Sequence, residues 1–444
     1  MMTKRVYIET MGCQMNVADT ERTESKLRSA GFEIASGTAE ADIVLLNSCS
    51  VRESAAQKVF NRIGQVRKQR RNNPPIFGVM GCVAQLEGET LLTNGSPVAF
   101  VAGTGATDRI PQLISDVLET GKSKTDLSDR QIGEKWSVSP AERRSPYVAF
   151  VPIIEGCNKF CTYCIVPFSR GREKSRLPEE ILNEVLQLRD FGYREIHLIG
   201  QNVNSYRPAS EAGIESVRGA TPFSRLLRAV ALTGIRRIKF TTSFPRDFHE
   251  DIVSAINEFE NLCNWVHLPV QAGSNRVLKA MRRGYTVENY RQRIDRIRSS
   301  PRGIAITTDI IVGFPGETEQ EFEETLKLVE TVGYDSLYAF KYSVRPGTPA
   351  ADLEDELSEV KKADRLTRLL DLQKIIQKPI LEAYKGKILE VLVEGSSAKS
   401  KEDMMGHSAC NKVVNFPGPG LKGGEIVRVL ITEAKENSLY GRVA

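Results

Sequence analysis

Three cysteines lie close together near the middle of the chain. Cys157, Cys161 and Cys164 follow a C-x3-C-x2-C spacing. Three thiolates this close in sequence can ligate three irons of one iron–sulfur cluster, which leaves the fourth iron without a protein ligand. A zinc site would normally use a fourth Cys or His nearby, and this segment has none. Because Phe160 and Tyr163 lie between the ligands, a small organic ligand could stack beside the metal.

Three more cysteines, Cys13, Cys49 and Cys82, each follow directly after an apolar, strand-like run. The runs span residues 6–12, 43–48 and 76–81, and helical patterns at 19–30 and 53–71 separate them. This βαβαβ order makes the strands parallel, and parallel strands end at the same edge of a sheet. We therefore expect a second cluster here, again with an open iron. For each cysteine alone, a small buried hydrophobic residue is the competing interpretation.

The bulk composition limits the classes of protein that remain. A chain of 444 residues should form two or three domains. The sequence contains no run of eighteen apolar residues, so no membrane helix is predicted. The first residues lack the apolar core of a signal peptide. We expect a cytoplasmic protein in which the eight cysteines are metal ligands or reactive groups more often than disulfides. Cys263 and Cys410 lack a ligand context and are interpreted as structural. The net charge of +5 permits a polyanionic partner without requiring one.

The middle of the chain alternates six strand-like runs with helical patterns. The strands are predicted at 147–155, 195–200, 237–243, 265–271, 305–313 and 336–343, and the helices at 178–191, 222–232, 247–257, 287–299 and 319–331. Six such units predict an incomplete (β/α)6 barrel, in which chemistry belongs to the loops after the strands. The C-x3-C-x2-C segment follows the first strand, as such a site requires.

Polar residues follow several of these strands. Gln201, Asn202 and Gln271 are interpreted as ligand contacts, whereas Ser274 and Thr318 are interpreted as helix caps. For each of these loops, ordinary turn chemistry is the alternative. Basic groups occur at 67–71, 170–176 and 282–298, and such runs are usually solvated faces. The group at 170–176 is the exception, because it borders the presumed active site.

The last part of the chain changes pattern again. A helical segment at 359–384 precedes short strands at 388–393, 412–416, 426–432 and 439–443, which predict a small OB-like β barrel. Its charges are nearly balanced, so a structural module and an RNA binder both remain open. The predicted class is α/β. The domains are a parallel βαβ domain at 1–135, the barrel at 143–375 and the small β barrel at 376–444.

With these motifs in view, the chain resembles the radical S-adenosylmethionine (SAM) methylthiotransferases over essentially its full length, and within them the tRNA-modifying enzymes of the MiaB type. The motifs that carry the resemblance are Gly12–Asn16, Asn47–Glu53, Gly81–Gln85, Glu155–Pro167, Leu198–Asn204, His267–Ser274, Ile311–Thr318 and Asn411–Phe416. The segments 50–53 and 413–416 favour this subfamily. Ser48 and Phe168 depart from the usual Thr and Tyr, and neither is a ligand.

The resemblance implies an N-terminal methylthiotransferase domain, a radical SAM barrel and a C-terminal TRAM domain. Cys157, Cys161 and Cys164 would hold a 4Fe–4S cluster whose open iron binds SAM, and one electron would then generate a 5′-deoxyadenosyl radical. Cys13, Cys49 and Cys82 would hold an auxiliary 4Fe–4S cluster that carries the transferred sulfur. The SAM pocket would be lined by Tyr163, Gln201, Ser243, Gln271 and the Gly313–Phe314 backbone.

The implied reaction adds a methylthio group to C2 of an N6-isopentenyladenosine next to the tRNA anticodon. It requires an electron donor and a sulfur source, no membrane, and a chain that acts as a monomer. Both clusters would have to face one cavity, with the target base splayed out of the RNA loop. The alternatives are a methylthiotransferase acting on threonylcarbamoyl-adenosine or a ribosomal protein, and a non-catalytic iron–sulfur protein that binds RNA or transfers electrons.

Overall fold

The structure is a computed structural model that describes residues 3–50, 55–93, 95–130, 136–397, 400 and 402–444. Residues 51–53 of the subfamily motif lie outside the described residues. The chain divides into two units. The first unit comprises residues 1–145, 150–158 and 165–174, and the second comprises residues 146–149, 159–164 and 175–444. No helix of the described residues is both long and apolar enough to cross a membrane.

A six-stranded parallel sheet organises the first unit, with the order β2-β1-β3-β4-β5-β6. Its strands are β1 (Arg5–Met11), β2 (Glu33–Ile34), β3 (Ile43–Ser48), β4 (Ile76–Gly81), β5 (Val98–Ala102) and β6 (Lys124–Asp126). The helices are α1 (Gln14–Ser29), α2 (Ala55–Gln69), α3 (Cys82–Glu87) and α4 (Ile110–Thr120). One apolar cluster includes residues of α1 and α4 and the other includes residues of α2, so both faces of the sheet are covered.

The predicted βαβαβ core is confirmed with small shifts in its bounds. The runs at 43–48 and 76–81 form strands over those residues, and the first run forms a strand at 5–11. The helix predicted from residue 19 begins at Gln14, because Cys13 is its N-cap residue. The helix predicted at 53–71 is observed at 55–69, with residues 53 and 54 outside the described residues. The short strands β2, β5 and β6 were not predicted.

The six predicted strands of the (β/α)6 barrel are all present. They are β7 (Val148–Pro152), β10 (Glu195–Ile199), β11 (Arg237–Phe240), β12 (Trp265–His267), β13 (Ala305–Val312) and β14 (Ser336–Lys341), with the short β8 (Ile154–Glu155) and β9 (Lys174–Ser175) between the first two. They form two three-stranded sheets, β11-β10-β7 and β12-β13-β14, and a single bridge links Ile238 with Leu262. The predicted incomplete (β/α)6 barrel is therefore present, and its six strands are divided between these two sheets.

Helices follow the barrel strands as predicted. They are α5 (Val166–Arg170), α6 (Pro178–Phe191), α7 (Pro222–Leu232), α8 (Glu250–Glu258), α9 (Asn275–Ala280), α10 (Val287–Arg298) and α11 (Glu319–Val332). The helix predicted from residue 247 begins at Glu250, since residues 245–247 form a 3-10 turn that starts with Pro245. The short helices α5 and α9 were not predicted.

A closed five-stranded barrel ends the chain, after α12 (Glu359–Glu382). Its strands are β15 (Ile388–Ser396), β16 (Asp403–Ser408), β17 (Val413–Pro417), β18 (Ile426–Ala434) and β19 (Leu439–Val443), in the order β15-β16-β17-β19-β18. The predicted small β barrel is confirmed, and β16 is the strand that the sequence analysis missed.

The hairpin loop between β16 and β17 packs against the strand starts of the larger barrel. Lys412 Nζ donates to Asp335 Oδ1 at 2.6 Å, and Lys239 Nζ donates to Asn411 Oδ1 at 3.1 Å. Cys410 is buried beside Trp265, and no disulfide joins any of the eight cysteines. The loop therefore fixes the small barrel at the end of the larger one where its strands begin.

Candidate functional site

Cys13, Cys49 and Cys82 meet at one edge of the first sheet. They follow β1, β3 and β4, which are neighbours, and the register pairs Ser48 with Gly81. The Cys49 thiol forms hydrogen bonds with the thiols of both Cys13 and Cys82. Strand topology thus gathers three side chains that are far apart in sequence.

A buried amide pair explains why glycine precedes two of these cysteines. Asn16 Oδ1 accepts hydrogen bonds from the Cys13 backbone N–H at 3.2 Å and from the Cys13 thiol at 3.3 Å. Asn16 Nδ2 donates to Asn47 Oδ1 at 2.8 Å, and both amides are fully buried. A Cβ at Gly12 would lie 2.4 Å from Asn16 Oδ1, and one at Gly81 would lie 2.4 Å from Asn47 Oδ1. Only glycine leaves room for this pair.

Arg170 supplies positive charge to the same edge. Its side chain is buried and bridges Asp19 Oδ2 at 2.7 Å and Glu155 Oε1 at 3.0 Å. The hydrogen bond from Cys49, assisted by the charge of Arg170, lowers the pKa of both Cys13 and Cys82 to about 6. The thiolate is the form that binds iron, so Cys13 and Cys82 are already biased toward the ligating state, whereas the same hydrogen bonds raise the pKa of Cys49.

The donor set fits an iron–sulfur cluster better than a single ion. In the described part of the chain, no three Cys, His, Asp or Glu side chains are arranged around one metal ion. Cys82 is buried, Cys49 partly buried and Cys13 exposed, so the edge offers three sulfur donors and an open side. Three sulfur donors, two of them with a lowered pKa, and a nearby guanidinium fit a cluster with one open iron.

The C-x3-C-x2-C loop passes from the first unit to the second between Asn158 and Lys159. In the first unit, the backbone N–H of Cys157 donates to Gly171 O at 3.2 Å. In the second, the backbone N–H of Cys164 donates to Cys161 O at 3.0 Å. Thr162 fixes this part of the loop, because its N–H donates to Met281 O at 3.2 Å and its hydroxyl to Ala280 O at 2.9 Å.

Arg283 is a neighbour of this loop that the sequence analysis missed. It was grouped with a basic run on a helix, yet its side chain is buried and Nη1 donates to Cys161 Sγ at 3.4 Å and to Tyr163 Oη at 3.3 Å. Its neighbour Arg282 is exposed. Nothing in the sequence separates these two arginines, because burial here is set by tertiary packing.

The predicted SAM-binding side chains end in polar atoms that lack partners. Gln201 Oε1, Ser243 Oγ and Gln271 Oε1 are buried and accept no hydrogen bond from the described residues. Ser343 Oγ, which follows β14, shares this property and was not predicted. Buried polar groups are nearly always satisfied, so orphans after four strands of one barrel point to a bound polar ligand. These residues fit SAM, which is rich in hydrogen-bonding groups.

The Gly313–Phe314 turn presents backbone at the same strand ends. Gly313 has φ of 72°, and a Cβ there would lie 2.6 Å from Lys362 Cγ. Glu317 Oε2 accepts from the Gly313 N–H at 2.6 Å and from Arg365 at 2.8 Å. The Phe314 ring is fully buried, so only its backbone is available to a ligand.

Strained backbone accompanies these loops. Phe160, Thr242, Gln271 and Arg282 are non-glycine residues with positive φ, between 48° and 75°. Such conformations are uncommon and concentrate where surrounding structure holds a functional group in place. Each of the four lies in the cluster loop, after a barrel strand or beside Arg283.

The remaining polar and basic predictions have mixed outcomes. Thr318 caps α11 as predicted, whereas Ser274 occupies the cap position of α9 but directs its hydroxyl to Glu321 Oε1 at 3.2 Å. Asn202 is buried. In the basic group at 170–176, Arg170 and Arg176 are buried in ion pairs, so they are not a solvated charged face.

Three family matches cover most of the chain. Residues 5–103 match the uncharacterised protein family UPF0004, residues 151–329 match the radical SAM superfamily, and residues 382–444 match the TRAM domain.

Curated relatives match the chain from end to end. It is 45% identical over 442 residues to the tRNA-2-methylthio-N(6)-dimethylallyladenosine synthase of Xanthomonas oryzae pv. oryzae (strain MAFF 311018), covering 99% of this chain and 91% of that protein. It is 44% identical over 446 residues to the enzyme of the same name from Xanthomonas axonopodis pv. citri (strain 306), covering 100% and 92%.

Solved structures share the fold at low identity. The radical SAM methyltransferase TsrM from Kitasatospora setae aligns with a TM-score of 0.55 and 14% identity, covering 79% of this chain and 77% of that one. The cobalamin-dependent radical SAM enzyme OxsB aligns with a TM-score of 0.51 and 12% identity, covering 85% and 56%. The radical SAM architecture is common to all three.

Proposed function

The chain belongs to the family of tRNA-2-methylthio-N(6)-dimethylallyladenosine synthases, which are radical SAM tRNA methylthiotransferases, and we propose that it adds a methylthio group to C2 of an N6-isopentenyladenosine next to the tRNA anticodon. The observation that carries this proposal is the meeting of Cys13, Cys49 and Cys82 at one sheet edge in a chain that also contains the C-x3-C-x2-C loop. A radical SAM enzyme without sulfur transfer would need only the second set.

Radical SAM enzymes use SAM and a 4Fe–4S cluster, and we assign that cluster to Cys157, Cys161 and Cys164. We assign a second 4Fe–4S cluster to Cys13, Cys49 and Cys82. When bound, the first supplies the electron that cleaves SAM and the second supplies the sulfur that is transferred.

The chain's own residues bind and orient SAM. Gln201, Ser243 and Gln271 offer their unpartnered oxygens to its polar groups, while Tyr163 offers an aromatic ring from the cluster loop. The Gly313–Phe314 backbone is a further proposed contact, and the missing side chain of Gly313 leaves room for Lys362 beside it. Fixing the ligand in a dry, preorganised pocket keeps the reactive species away from water.

The tRNA is the proposed macromolecular substrate. A base in an anticodon loop can be splayed out of its stack, which a reaction at C2 requires. We propose that the TRAM domain contributes to RNA binding. All six proposed ligands come from one chain, so a monomer suffices. SAM supplies the methyl group, and an electron donor and a sulfur source complete the reaction, which we place in the cytoplasm with its tRNA.

Anaerobic incubation of the iron–sulfur-reconstituted protein with SAM and dithionite tests the radical part of the proposal. We expect 5′-deoxyadenosine to form, with methylthiolated adenosine when an anticodon stem-loop RNA bearing N6-isopentenyladenosine is added. The same RNA with threonylcarbamoyl-adenosine is the matched control and should give no product. A fully reconstituted protein that yields no 5′-deoxyadenosine would contradict the proposal and favour a non-catalytic iron–sulfur protein.

A further inference from the structure

Arg283 differs from the other buried arginines of the described residues. Seven of the eight have a carboxylate within ion-pair distance: Arg22, Arg143, Arg170, Arg176, Arg228, Arg237 and Arg365. Arg283 is 5% exposed and has no carboxylate oxygen within 4.0 Å among the described residues. It is a buried positive charge that the rest of the described chain does not neutralise.

Its observed hydrogen-bond partners are all neutral or sulfur groups. Nη2 donates to Pro269 O at 3.0 Å and Nε to Tyr285 Oη at 3.0 Å. The guanidinium carbon lies 4.5 Å from the centroid of the Phe244 ring. The remaining nitrogen, Nη1, is directed at Cys161 Sγ and Tyr163 Oη. These contacts hold the guanidinium so that Nη1 donates to Cys161, a proposed cluster ligand.

Burying an isolated charge costs far more than burying a paired one. Rings and carbonyl groups offset part of this cost, but they do not carry the full negative charge that a carboxylate brings. The other buried arginines follow the usual rule, so the exception at Arg283 calls for an anion that belongs to the functional protein. The group in contact with Nη1 is the sulfur of Cys161.

We propose that Arg283 is a positioning residue whose counter-ion is the thiolate-ligated cluster at Cys161, and that its charge makes this cluster easier to reduce. Three thiolates give such a cluster a net negative charge, and one-electron reduction adds another. A fixed cation and an N–H donor at a ligand sulfur both raise the reduction potential. The inference rests on the proposed function only in assigning a cluster to Cys157, Cys161 and Cys164.

Hydrogen bonds anchor the chain on both sides of this contact. Thr162 is tied to Ala280 and Met281, just before Arg282 and Arg283. Its carbonyl also accepts the Ala350 N–H at 2.8 Å. The cluster loop and the arginine therefore share one anchored backbone, so the guanidinium and the sulfur keep their separation without help from a flexible surface side chain.

The test compares variants of the full-length chain in which Cys13, Cys49 and Cys82 are all changed to Ala, so that one cluster remains. Its midpoint potential is measured anaerobically, without SAM, by titration with dithionite followed by electron paramagnetic resonance. We expect Arg283→Met to shift the potential to a more negative value and Arg283→Lys to stay close to the parent. Arg282→Met removes the same charge from the exposed neighbour and should leave the potential unchanged.

An unchanged potential in Arg283→Met would overturn the proposal. If SAM affinity fell while the potential stayed constant, the guanidinium would instead be the partner of the SAM carboxylate. In either case the parent still takes up a cluster and cleaves SAM, so the proposed function stands. A parent that takes up no cluster would contradict the proposed function itself.

A second measurement applies if the Arg283→Met variant does not take up the cluster. Because the apo-protein contains the charge without its counter-ion, apo-Arg283→Met should be at least as stable to heat as the apo parent. The gain in melting temperature on cluster loading should be smaller in the variant. A large loss of apo stability in Arg283→Met would mean that the guanidinium serves packing alone, which would also overturn the proposal.

Discussion

Arg170 and Arg283 are buried arginines close to proposed cluster ligands, yet different groups balance their charge. Arg170 lies between two carboxylates, those of Asp19 and Glu155, whereas Arg283 has none among its described neighbours. Net charge and hydrogen bonding at sulfur tune a cluster's potential. The two sites thus start from different electrostatic surroundings, as two clusters with different tasks should.

Separate tasks predict separate losses when single ligands are removed. Cys157→Ala should abolish the reductive cleavage of SAM, because the cluster that supplies the electron loses a ligand. Cys49→Ala should retain part of the cleavage but form no methylthiolated product. The measurement is 5′-deoxyadenosine and modified nucleoside in the same anaerobic reaction, with Cys263→Ser as the control. Equal loss of cleavage in both ligand variants would contradict separate roles.

Arg170 allows a stability prediction in the first unit. Arg170→Met leaves Asp19 buried without this ion pair and Glu155 with Arg130 alone, which should lower the free energy of unfolding by about 3–5 kcal/mol. Arg172→Met, at an exposed position two residues later, is the matched control and should change little. Urea unfolding followed by circular dichroism measures both. Similar values for the two variants would mean that the carboxylates find other partners.

At the scale of elements, α11 shows how a capping box is combined with an ion pair. Thr318 Oγ1 accepts from the Glu321 N–H at 3.3 Å, and Glu321 Oε2 accepts from the Thr318 N–H at 2.8 Å. Arg276 Nη2 donates to Glu321 Oε2 at 2.6 Å. The hydrogen bond from Arg276, with that of Thr318, lowers the pKa of Glu321 to about 2 against the effect of burial.

This lowered pKa predicts a pH-dependent contribution to stability. A carboxyl group whose pKa is lowered by folding stabilises the fold at pH values above its unfolded pKa, which is near 4.5. That contribution is lost as the pH falls toward about 2. Glu321→Gln should therefore lower the free energy of unfolding by about 1–3 kcal/mol at pH 7. The difference from wild type should shrink between pH 4.5 and 3. Glu330→Gln, on the exposed face of α11, should show no such trend, and a constant difference would contradict the assignment.

The sequence predicted the elements with strong local signals and missed those without them. Helices α6 and α7 have the predicted bounds, because proline starts both and α6 ends at Gly192. Strands β2 and β6 have two and three residues, too few for an apolar pattern to show. The cysteines proposed as ligands were recognised from their spacing or their position after strands, whereas the burial of Arg283 depends on contacts with Phe244 and Pro269, which are distant in sequence.

At the scale of the molecule, the TRAM domain packs on the end of the larger barrel where its strands begin. Lys412 and Asp335 form a buried ion pair across this contact, and Asp335 Oδ2 also accepts the Ile306 N–H at 2.8 Å. The sequence placed the domain but not its docking, because two of the residues involved, Asn411 and Lys412, lie in a hairpin loop without a distinctive pattern. This contact leaves the strand-end loops of the barrel to the ligands.

Breaking this pair should loosen the TRAM domain without touching the cluster ligands. Lys412→Met leaves Asp335 buried with the Ile306 N–H and a longer contact to Arg298, 3.5 Å, and should cost about 3 kcal/mol of stability. Lys422→Met, at an exposed position, is the control. The rate of amide hydrogen exchange in β15 to β19 should rise in Lys412→Met and not in Lys422→Met. Unchanged exchange would mean that other contacts hold the domain in place.

The most direct test of the central claim is the nucleoside content of tRNA from the source organism after deletion of this gene. Mass spectrometry should show loss of 2-methylthio-N6-isopentenyladenosine and accumulation of N6-isopentenyladenosine. Wild-type protein should restore the modified nucleoside, and the Cys49→Ala variant should not. Retention of the methylthiolated nucleoside, or loss of the threonylcarbamoyl derivative instead, would contradict the account.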